Sequence, residues 1–194
     1  MGLLSVSLTA QSSRQYAWSA TDLQLVTLNV PFCGQLQLQS HAKNTIELSY
    51  QSEGEYQDQM GIRANLNGLT LGLNEYRNPL FQKRQDKLAA HKIVASRLRM
   101  LLPTHLEIDL QMKSGQLTVD GQFEQIQIQM EEGNCLLTLS QTDGRLLTRS
   151  ATTLIYPKQM KVTTVSQTLS CSNSKTEHRF EIITRSGSIS CISE

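Results

Sequence analysis

Carboxylates able to serve as a general acid and base stand close together at two places. Glu107 and Asp109 lie two apart in "HLEIDLQM", and Glu131 and Glu132 are adjacent beside Gly133. Hydrolysis of a glycosidic bond needs two carboxyls roughly 5–10 Å apart across the sugar. In an alternating strand Glu107 and Asp109 share the face opposite Leu106, Ile108 and Leu110, which is the solvent face. Neither pair has an aromatic platform nearby, and Trp18 is the only indole in the chain. Solvated strand and turn acids account for both pairs, and no catalytic residue is assigned. The four histidines, His41, His91, His105 and His178, show no metal-ligand spacing. Cys33, Cys135, Cys171 and Cys191 form no C-x-x-C, so no metal and no cofactor is expected. Cys171 and Cys191 each end a strand-like run, and a disulfide between them would require neighbouring strands and an oxidising compartment. Nucleotide-binding glycine fingerprints and the G-x-S-x-G elbow are absent from the sequence.

Two features are candidates for binding. In "EQIQIQM" glutamine alternates with large apolar residues, placing Gln125, Gln127 and Gln129 in one row. Amides at equivalent positions on stacked strands can bond to one another without the repulsion of like charges, so the row is explained either as a strand exterior or as a weak interaction surface. The second is a basic cluster of Lys83, Arg84, Lys87, Lys92, Arg97 and Arg99, offset by Asp86. Phe81 is the only aromatic close by, which argues against a nucleic-acid surface. A solvated connection with edge-protecting arginines is the plainer reading.

The elements that would carry these residues read as strands. Period-two alternation recurs in "GQLQLQS", "TIELSY", "NLNGLTLGL" and "HLEIDLQM". Turn signals separate the runs at Asn67-Gly68, Ser114-Gly115, Asp120-Gly121, Glu132-Gly133, Asp143-Gly144 and Ser186-Gly187. In "DLQLVTLNV" the alternation runs through Leu23 and Leu25, slips at Val26-Thr27 and resumes at Leu28. Leu80 to Pro103 is ambiguous: its composition favours an amphipathic helix, while alternation of Leu98, Met100 and Leu102 with Arg97 and Arg99 favours a strand after a loop. Glycine turns followed by short strands repeat irregularly through the second half, which suggests a β-solenoid, although a conventional sandwich would also give short strands with closely spaced turns.

With 194 residues, a net charge of +1 and 5% aromatics, the chain has no electrostatic footprint for nucleic acid or an anionic membrane. No apolar run is long enough to span a bilayer. Leu3 to Leu8 reads either as a signal-peptide remnant or as part of a first strand within residues 1–20.

The segments "EGEY" (53–56), "DKLAAHKIVAS" (86–96) with "LLP" (101–103), and residues 114–139 resemble a bacterial putative-adhesin domain family of unknown function, in forms found in the Bacteroidetes group. The likeness covers most of the chain from about Thr21, although the glycine rhythm lapses after Gly144. It implies a strand over His91 to Leu102 leading to Pro103, and a β-solenoid. The expected fold is therefore all-β, a single domain over 1–194. Antiparallel strands (21–102) would precede a right-handed, single-stranded β-solenoid or β-helix-like repeat (103–194). The expected role is non-enzymatic, in interaction or scaffolding at the cell envelope or surface, with a protein or glycan partner. The alternative is a carbohydrate-binding or polysaccharide-active protein on a β-helix.

Overall fold

The computed structural model describes residues 11–53, 60–78, 95–140, 142–158, 161–165, 168–172 and 179–192. Alternation becomes strand throughout, and the described residues contain no helix. The first seven strands are β1 (Gln11–Ser19), β2 (Leu25–Val30), β3 (Cys33–His41), β4 (Thr45–Glu53), β5 (Met60–Asn67), β6 (Thr70–Arg77) and β7 (Ala95–Pro103). Long strands follow: β8 (Glu107–Gly121), β9 (Gln125–Ser140) and β10 (Asp143–Lys158). The last are β11 (Lys161–Val165), β12 (Thr168–Ser172) and β13 (Arg179–Cys191). All 13 join one mixed sheet with the main order β1-β4-β7-β3-β8-β9-β10-β13-β12-β11, while β2 bridges β6 and β8, and β5 pairs β6. Among the described residues the sheet does not close into a barrel.

Strands β8, β9 and β10 pair in parallel at a constant offset. Glu107 lies opposite Gln125, and Gln125 opposite Asp143, 18 residues further on at each step. β13 continues the parallel stack on β10, with Gly144 opposite Phe180. Each long strand bends once. On β8 the buried side chains are Ile108, Leu110 and Met112, then Leu117 and Val119. The change from even to odd positions turns both arms of the strand toward one core. Glycine occupies the bend because the backbone there takes positive φ: 130° at Gly115 and Gly133, and 125° at Gly187. Gly115 and Gly133 are in register, and a Cβ on Gly133 would overlap the Gly115 carbonyl oxygen. Ala151 stands between Gly133 and Gly187 in the same column.

The antiparallel block expected over 21–102 is only partly present. Antiparallel pairing joins β1 to β4, β4 to β7 and β5 to β6. β2 and β3, however, pair in parallel with β8, and β6 and β7 in parallel with them in turn. Consequently, the parallel stack runs across Pro103 without a break. At the far end β12 and β11 are again antiparallel. The helical reading of Leu80 to Pro103 fails over Ala95–Pro103, which is strand β7. Here burial of alternating Leu98, Met100 and Leu102 against the core outweighs local helix propensity. Residues 79–94, including Lys83, Arg84 and Lys87, lie outside the described residues. So do residues 1–10, whereas the remainder of the signal-like segment, from Gln11, is strand β1. In β2 the inward residues are Val26, Leu28 and Val30, following Leu23, so the slip falls at Gln24-Leu25, two residues earlier than the sequence pattern suggests.

The core is one aliphatic cluster from Ala20 to Ile182, with Tyr16 and Trp18 of β1 packed on its margin as a stacked pair 5.8 Å apart. All four cysteines are free thiols, so Cys171 and Cys191 are not bridged here. Burial pushes the Cys33, Cys135 and Cys171 thiols up to about 12. They are therefore neutral at physiological pH and serve as small core hydrophobes.

Candidate interaction surface

The outward side chains of five adjacent strands, β1, β4, β7, β3 and β8, form two rows running across the strands. In the first, register places Ser13, Gln51, Arg97, Gln35 and Gln116 side by side. In the second it places Gln15, Ser49, Arg99, Gln37 and Thr118. Each row thus has an arginine at its centre, with only amides and hydroxyls on either side. All of these residues except Ser13 line a shallow trough of about 600 Å³, with Leu36 and Leu98 at its floor.

Local chemistry explains the residue types. Neighbouring outward positions lie roughly 4.8 Å apart, where like charges would repel. Gln35 instead donates from Nε2 to Gln116 Oε1 at 3.2 Å, an amide pair across the β3–β8 boundary. Arg97 reaches the rim to meet Glu53 at 3.2 Å, with both partners about half exposed. Arg99 donates to the Gln39 side-chain oxygen at 3.3 Å. No ion pair among the described residues involves Arg99. Among the described residues, the rows flanking these two hold the carboxylates Glu47, Glu53 and Asp120.

A buried polar cluster lies directly beneath. Tyr50 and Ser96 are the inward neighbours of Gln51 and Arg97, and both reach Glu75 of β6. Glu75, only 7% exposed, accepts hydrogen bonds from the Phe32 N–H (2.8 Å), the Ser96 hydroxyl (2.5 Å) and the Tyr50 hydroxyl (3.4 Å). Desolvation raises the Glu75 carboxyl above its ordinary value, against the three hydrogen bonds, which favour the charged form. Burial, with the Glu75 charge nearby, raises both Tyr50 and Cys33, leaving each protonated at neutral pH. The cluster ties β4, β6, β7 and the start of β3 together under the trough.

The glutamines singled out in the sequence lie elsewhere on the sheet. Gln125 sits between Glu107 and Asp143, Gln127 between Asp109 and Arg145, and Gln129 between Gln111 and Leu147. Only Gln129 has another amide beside it. Gln125 instead separates two carboxylates, which explains an uncharged residue there better than an amide ladder does. The pairing expected of that row is found at Gln35 and Gln116. Of the basic cluster, Arg97 and Arg99 enter the trough. Glu75 was open to detection, since alternation through Leu71 and Leu73 places it on the inward face.

No protein-family model matches the chain, and no curated protein matches it. Among solved structures, a putative cell adhesion protein from Clostridium sporogenes aligns with a TM-score of 0.65 at 13% identity, over 95% of this chain and 100% of that one. A putative adhesin from Bacteroides fragilis aligns with a TM-score of 0.30 at 9% identity, over 95% of this chain and 99% of that one. The likeness to the clostridial protein is one of fold: the two chains share an all-β architecture along nearly their whole length.

Proposed function

We propose that the protein is a non-enzymatic, adhesin-like interaction or scaffolding protein of the cell surface or envelope, built as a β-solenoid. The constant 18-residue offset of β8, β9 and β10 supports a solenoid, as does the column of bend glycines. Antiparallel strands at both ends would serve as its caps. The observation that carries the interaction role is the two-row trough. It is a broad, exposed array of side-chain donors and acceptors on a backbone whose own hydrogen bonds are satisfied in the sheet. The shared fold with a protein described as a cell adhesion protein agrees with this reading. Antibody detection after fractionating cells that express the natural gene tests the location. Recovery with the envelope or at the exterior is expected, and recovery wholly in the cytosol would reject the surface role.

A further inference from the structure

We propose that the trough binds an acidic polysaccharide, a sugar chain bearing carboxylates, with Arg99 as its principal anchor. The proposal deepens the interaction role and rests on it. Charge is the first argument. Across ten row positions there are two guanidinium groups and no carboxylate. Arg97 is engaged by Glu53 at the rim, whereas among the described residues the side-chain partner of Arg99 is the neutral amide oxygen of Gln39. A guanidinium carries five N–H donors in a planar fork that suits a carboxylate, so Arg99 keeps donors to offer.

Geometry supplies the second argument. Arg97 and Arg99 stand two residues apart on β7, roughly 6.6 Å along the strand. The rows extend across five strands, roughly 20 Å, which suits an extended polymer rather than a single small anion. On both sides of each arginine the neighbours are amides or hydroxyls, groups that can donate to and accept from sugar hydroxyls. Peptides recognised by sheets commonly add to an unpaired strand edge. Here β4, β7, β3 and β8 are hydrogen-bonded on both sides, so around both arginines the trough presents side chains alone, and only β1 at its margin lies at the end of the strand order. Its rows carry no aromatic residue on which nucleic-acid bases could stack.

The test is calorimetric titration of the purified full-length chain with polygalacturonate, with dextran as the neutral comparison and poly-glutamate as the acidic peptide. Saturable binding to polygalacturonate alone is expected, weakening as salt rises. Arg99→Gln should lower affinity about tenfold or more, and Arg97→Gln by less because Glu53 already occupies it. Gln37→Glu, which places a carboxylate beside Arg99, should reproduce the Arg99→Gln loss and guards against one variant misfolding. Unchanged far-UV circular dichroism establishes that the variants are folded. Absence of binding by the natural chain, equal binding of poly-glutamate, or undiminished affinity in both Arg99→Gln and Gln37→Glu would each overturn the proposal. Fractionation would still decide the surface role independently.

Discussion

Replacing Glu75 separates two effects that the fold combines at one carboxylate. Alanine removes the acceptor for the Phe32 N–H and the Ser96 hydroxyl, bonded at 2.8 and 2.5 Å. Hydrogen bonds to a charged group contribute about 1.5–3 kcal/mol each, so the gross loss is about 3–6 kcal/mol. Relief from burying a carboxylate offsets part of it, leaving Glu75→Ala about 2–4 kcal/mol less stable at neutral pH. Glutamine behaves differently. Its oxygen can accept from Phe32, and its amide can donate to Ser96, whose hydroxyl rotates to accept. Glu75→Gln should therefore remain within about 1 kcal/mol of the natural chain at neutral pH. The sharper outcome concerns pH. Burial raises the native carboxyl above 4.5, its ordinary value, so the folded chain holds this proton more tightly than the unfolded chain. The associated stability is fully present below that ordinary value and is lost as pH rises through the raised native one. Tyr50 and Cys33, the titratable groups facing Glu75, stay neutral across this window. Urea unfolding followed by circular dichroism from acid to neutral pH should show this decline in the natural chain and its loss in Glu75→Gln. If the glutamine variant retains the same slope, the carboxyl is not the group responsible and the reasoning fails.

Other outcomes follow from packing. Gly133→Ala should cost about 2–4 kcal/mol in urea unfolding, since the new Cβ meets both an unfavourable φ and the Gly115 carbonyl. Ala151→Gly, in the same column, should cost less than about 1 kcal/mol. Thr148 buries a hydroxyl with no partner among the described residues. Thr148→Val should therefore raise stability by about 1 kcal/mol, read from the urea midpoint. Iodoacetamide labelling of the native protein, followed by peptide mass spectrometry, should modify Cys191 first. It is the only one of the four thiols that is not fully buried.

Alternation made the strands and their inward residues legible in the sequence, even at Leu98, Met100 and Leu102, where composition pointed to a helix. The bends could also be read there, as the slip in alternation beside Gly115 and Gly133. Strand partnership could not. Gln35 lies opposite Gln116, 81 positions away, and no local pattern specifies which two rows of side chains the fold will align. The trough is therefore not legible in the sequence, although "GQLQLQS" and both arginines stand out separately. The row at Gln125 is conspicuous because its repetition is local, whereas the trough draws on strands scattered between residues 11 and 121.

The equal offset from β8 to β9 to β10 makes length an adjustable property of this molecule. Excising one 18-residue unit would bring residues of the same register and bend position together, leaving the strands at either end unchanged. Adding one would separate those ends by roughly 4.8 Å more. Related chains could thus differ in reach by whole units while keeping the β1-to-β8 trough intact, as a ruler gains length without altering its marks.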